Sequence, residues 1–207
     1  MITIFAPFAD RLNLNGDQGN ALVVAKCLEA LGLESQVISS FAELHQVTPN
    51  FVLMGHGSDA AMSSIAQELN AQTALMKQLR DQVPGLVVGS SVIWMVEHGL
   101  SPQVLRTGEH ESRFEVTELN GLKILGYRNT DSGLASLFQN GQWIECMLHG
   151  PVLAKNPALL KEVIEKILLV AKVPVNLARA DKWFQELSEI SVKVWSVETD
   201  LEFQRLN

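Results

Sequence analysis

Short unbroken apolar runs alternate along this chain with longer stretches in which apolar residues return every three or four positions. The runs at 2–6, 36–39, Phe51–Met54 and 84–88 predict strands. A fifth run, 143–148, leads into His149 and is broken by Gly150-Pro151. Helical spacing fills the intervals. Residues 20–31 place Leu22, Ala25, Leu28 and Leu31 on one stripe and stop at Gly32, with Asp17 or Asn20 as candidate caps. One helix is predicted from Ser58-Asp59 towards Arg80, and another after Ser90-Ser91. Residues 157–172 carry Leu160, Val163, Ile164, Ile167, Leu168 and Val170 on a wide apolar face, and 181–187 predicts a last helix. The region 106–118 reads as a turn and an exposed strand, Asn120-Gly121 as a turn, 123–126 as a strand and 127–133 as loop. Asn140-Gly141 signals a hairpin. The stretch 190–207 alternates only in part and receives no element. Strands that are apolar on both faces, spaced by helices, define an α/β fold with a mostly parallel sheet covered on both sides.

Composition narrows the class. The chain has 207 residues, 47% hydrophobic and 19% charged, which suits one domain with a full core and a small appendage. A net charge of −7 without a basic stripe argues against nucleic-acid or anionic-membrane partners. Pairs such as Lys161-Glu162 and Glu165-Lys166 read as a solvated face. Two cysteines, Cys27 and Cys146, make no disulfide framework. The histidines at 45, 56, 98, 110 and 149 lack metal-ligand spacing, so neither metal nor cofactor is expected. The opening run, ended by Pro7, is too short for a signal peptide, and no run reaches the roughly 20 residues of a membrane helix. The expected location is the cytoplasm.

Candidate chemistry collects at the ends of the predicted strands, where α/β folds bind ligands. His149 stands at one such end, either as a proton carrier or as a hydrogen-bonded loop residue. Gly55-His56-Gly57 follows the third strand. Its N–H groups could form an oxyanion hole, or the segment could be a tight turn without chemistry. The fourth strand runs into Gly89-Ser90-Ser91, the shape of a nucleophile elbow. Its serines are nucleophiles only with a base in reach and otherwise cap the helix. Gly16-x-x-Gly19 lacks the spacing of a dinucleotide loop.

Four segments together carry a family resemblance: Leu12-Asn-Leu-Asn-Gly-Asp-Gln-Gly-Asn20, Phe51-Val-Leu-Met-Gly-His-Gly-Ser-Asp59, Pro84-Gly-Leu-Val-Val-Gly89 and Leu148-His-Gly-Pro-Val-Leu-Ala-Lys-Asn-Pro157. In this order and at these separations the chain resembles the CobB/CobQ-type class I glutamine amidotransferases, most of all the glutaminase subunit of lipid II isoglutaminyl synthase (GatD). The resemblance spans about residues 1–172 and leaves 173–207 as a C-terminal helical extension and tail. It implies a flavodoxin-like fold, with His149 as the base, Gly55, His56 and Gly57 as the oxyanion turn and the nucleophile at Gly89. It also implies a Mur-ligase-like, ATP-using synthetase as partner. The family's cysteine, and the tyrosine and glutamine that follow it, are absent from Val88-Gly89-Ser90-Ser91-Val92-Ile93. A degenerate amidotransferase that binds a partner, or a small amide or amino acid, is the expectation. His56 and His149 would line the old pocket, with Arg128 or Arg106 at its rim. The alternatives are an active amidotransferase supplying ammonia, a Ser-His acyl hydrolase using Ser90 or Ser91 with His149, and a plain interaction module. Cys146, three residues before His149, is a poor substitute nucleophile.

Overall fold

The computed structural model describes residues 1–206, with side chains followed as far as Asp200. A six-stranded sheet forms its centre. The strands are β1 (Ile2–Phe5), β2 (Ser35–Ile38), β3 (Phe51–Met54), β4 (Gly85–Val88), β7 (Leu137–Asn140) and β8 (Trp143–Cys146), in the order β2-β1-β3-β4-β8-β7. The first five in that order are parallel, and only the edge strand β7 is antiparallel. This is the flavodoxin-like order, with β8 as the fifth parallel strand.

Alternation along each buried strand divides the interior into two cores. Ile4, Leu53, Leu86 and Ile144 point to one face, under α1 (Gly19–Ala30) and α6 (Pro157–Val170). Phe5, Val52, Val87 and Trp143 point to the other, under α2 (Asp59–Ala71), α3 (Thr73–Gln82) and α4 (Ser90–Glu97). The β-branched and aromatic residues that made these runs unbroken are therefore buried on both sides.

Several local expectations are corrected. The helix predicted from 59 towards 80 is two helices that meet at Gln72. The α1 stripe turns out to be Ala21, Val24, Cys27 and Leu28, while Leu22 is 61% exposed. Neither Asp17 nor Asn20 caps α1, whose N-cap is Gln18 without a side-chain bond. Residues 127–130 are not loop. They complete β6 (Leu122–Thr130), which pairs with β5 (Glu111–Leu119) over its whole length. The run ending at His149 is not one strand: β8 stops at Cys146, and β9 (Leu148–His149) crosses to pair with β6 in a second, three-stranded sheet. After α5 (Val152–Lys155) and α6, the unassigned tail forms a single helix, α7 (Asp181–Leu206). Among the described residues, no helix is long and apolar enough to cross a membrane.

Candidate functional site

Because β1 lies between β2 and β3, the carboxyl ends of β1 and β3 flank a topological switch point, where open α/β sheets form their crevice. Four connections converge there: the loop between β1 and α1, the turn after β3, the elbow after β4 and the crossing from β8 through β9 to α5. They are the four segments that carry the family resemblance.

Asp17 ties them together. It has no exposed surface, and its carboxylate accepts from His56 N–H (3.0 Å) and Gly150 N–H (3.1 Å). Burial pushes its carboxyl above the ordinary range, against the lowering effect of those N–H bonds. Asn20, equally buried, donates to the carbonyls of Asp17 (2.9 Å) and Gly150 (3.2 Å) and accepts from Leu153 N–H (2.8 Å). Gly55 is needed for close approach, since a Cβ there would lie 2.0 Å from the Leu12 carbonyl oxygen.

The elbow is present in backbone form. Gly89 has φ 57° and ψ −118°, a strained turn between β4 and α4 that lifts one position above the sheet. That position faces two imidazoles. A Cβ on Gly89 would lie 2.5 Å from His56 Nδ1 and 3.1 Å from His149 Cε1. The rings meet edge to face with centroids 4.6 Å apart. His56 Nδ1 accepts from Ser90 N–H at 3.0 Å, and that N–H directly follows the elbow apex, where an oxyanion donor belongs. Burial, and then the neighbouring His149, bring the His56 pKa down to about 4, so the ring is neutral at pH 7.

His149 is buried, and both its nitrogens are committed: Nε2 to the Asn129 carbonyl (3.1 Å) and Nδ1 to the Asn15 amide (2.9 Å). A carbonyl only accepts, so Nε2 carries the proton. In the neutral ring Nδ1 then accepts, and Asn15 must present its NH₂. The lone pair a base would use is occupied.

The expected oxyanion turn is corrected by its own bonds. His56 N–H goes to Asp17, and Gly57 N–H goes to Ser90 Oγ at 2.9 Å. Ser90 Oγ accepts that bond, while Ser91 Oγ donates to the Gly55 carbonyl at 2.7 Å, and neither hydroxyl bonds to His149. The Ser-His geometry is therefore absent: both hydroxyls serve the turn and both His149 nitrogens bond elsewhere. Cys146 is fully buried, its thiol pushed up to about 12 by burial and directed at the Leu148 carbonyl (3.2 Å).

Arg128 does not join the site. Tyr127 pairs with His149 across β6 and β9, so Arg128, one residue on, points to the opposite face of that sheet. There it binds Glu111, Ser136 Oγ (3.0 Å) and the Leu134 carbonyl (2.8 Å). Arg106 lines a separate cleft of about 260 Å³ with Asp131. A larger cleft of about 390 Å³ opens beside Ser90 between α2 and α4, lined by Asp59, Met62, Asn70, Ile93 and Trp94, and neither His56 nor His149 faces it. Among the described residues, no group of His, Cys, Asp or Glu is placed to hold a metal ion.

Sequence reasoning missed Asn15, Asp17, Asn20 and the Asn129 carbonyl as site groups. The signal for the first three was a run of Asn and Asp between β1 and the next apolar stripe, too polar for a simple turn. No protein-family model matches the sequence, and neither does any curated protein. Among solved structures, the chain is similar to a glutamine amidotransferase from Thermotoga maritima, at 12% identity, 93% of this chain, 96% of that one and a TM-score of 0.48. It is also similar to DJ-1beta from Drosophila melanogaster, at 14% identity, 84% and 97% coverage and a TM-score of 0.41. Nothing about activity, substrate or partner passes from either to this chain.

Proposed function

We propose that this protein is a class I glutamine amidotransferase homologue of the CobB/CobQ and GatD-like type that has lost glutaminase chemistry and serves as a partner-binding or ligand-binding subunit. One observation carries the reading. The apex of the elbow has no side chain, and the volume a Cβ would take is within 2.5 Å of His56 Nδ1. The γ-glutamyl thioester route needs a thiolate at that apex and a free N–H beside it. Glycine supplies no thiolate, and His56 takes the N–H. The partner that fits the reading is a Mur-ligase-like synthetase, and a small amide or amino acid has room in the cleft beside Ser90.

The test is ammonia release from L-glutamine by the purified protein, followed through a coupled reductive amination. The expected result is a rate equal to the protein-free control. Saturable release that disappears in His149→Ala would overturn the proposal.

A further inference from the structure

Helix α7 carries two stripes with the same four-three spacing, one residue apart. The inner stripe is Phe184, Ser188, Ser191, Trp195 and Glu198. It faces the body of the protein, where Ser191 Oγ and Trp195 Nε1 (2.9 Å) donate to the Lys155 carbonyl and Glu198 pairs with Lys155 Nζ at 2.6 Å. The outer stripe is Trp183, Leu187, Ile190, Val194 and Val197. It is apolar throughout; Trp183 and Leu187 pack in part against the core, whereas Ile190 and Val197 are each 58% exposed. Helices ordinarily bury their most apolar face against the core. Here Phe184 and the polar anchors hold the helix down, while the apolar stripe rides on its flank and leaves the core beyond Leu187. Its steps of four and three are those of a coiled-coil seam, which closes against another helix.

From this geometry we infer that the outer stripe of α7 is a homodimer interface, in which a second copy of the chain lays its own α7 antiparallel along the seam. The flanking charges select this occupant. Glu186 and Lys193 each precede a seam residue, Leu187 and Val194. In an antiparallel pair every Lys193 lies opposite the partner's Glu186, and two-fold symmetry makes that contact twice. Leu187 then packs beside the partner's Ile190, and Trp183 beside the partner's Val194. A parallel pair would direct Lys193 to the partner's Glu198, which Lys155 already holds in its own chain. Glu186 can re-pair, because its contact with Lys182 spans 3.8 Å between side chains 61% and 90% exposed.

Sedimentation velocity of the full chain over a concentration series tests the inference. The wild type is expected to move from monomer to dimer. Ile190→Lys is expected to remain monomeric throughout with unchanged helical circular dichroism. Lys193→Glu sets like charges opposite each other and should weaken the dimer by about tenfold or more, while Glu186→Lys with Lys193→Glu should restore it to near the wild-type constant. A wild type that stays monomeric overturns the inference, even if the stripe captures another protein's helix. So does an Ile190→Lys dimer of unchanged strength, or a folded double reversal no tighter than Lys193→Glu alone.

Discussion

Asp17 accepts two backbone N–H bonds from turns that lie far apart in sequence, and no water reaches it. Its role needs two acceptor oxygens. Asp17→Asn keeps the size but turns an NH₂ towards one of the two N–H groups, leaving a buried donor unpaired. A loss of about 1–3 kcal/mol in urea unfolding is expected, with the midpoint lowered and the slope unchanged. His56 gives a pH signature. Its folded pKa of about 4 lies below its ordinary 6.5, so the folded state resists protonation. The corresponding stability is complete above pH 6.5 and is lost as the pH falls towards 4. His56→Gln removes this dependence. Thermal melts between pH 7 and pH 4 should therefore fall less steeply for the variant than for the wild type, and parallel curves would contradict the assignment.

Among the elements, the turns are less forgiving than the helices they join. Gly55→Ala drives a Cβ to 2.0 Å from a carbonyl oxygen and should cost about 3 kcal/mol in chemical unfolding. Gly16→Ala has no atom within 4 Å and carries only the strain of φ 75°, about 1 kcal/mol. Equal losses would mean that the Leu12 loop does not press on the turn after β3. The parallel strands were legible because residues such as Val52-Leu53 and Val87-Val88 are apolar towards both cores. β9 was not, because Leu148-His149 continues an apolar run whose change of sheet is decided by pairing with a distant strand. The break at Gln72 was hidden for a different reason: no glycine or proline marks it. The tail stayed unassigned because two stripes one residue apart blur the period that either would show alone.

At the scale of the whole molecule, the sheet order brings four remote segments to one edge, the same four that carry the family resemblance. The positions of Gly89, His56 and His149 were legible as strand-end residues. Their use was not. That His56 fills the apex depends on its rotamer and on the Ser90 N–H, and that Arg128 is locked by Glu111 depends on a strand hidden in an apparent loop. At the elbow, the His56 imidazole occupies the volume that a side chain on the apex would need. Thiol alkylation in Gly89→Cys, alone and with His56→Gly, measures this directly, since Cys27 and Cys146 are buried with pKa values near 12 and stay silent. The account predicts a slow reaction in the single variant and a fast one once His56 is removed. Equally fast alkylation of the single variant would show that the cradle was open and would contradict it.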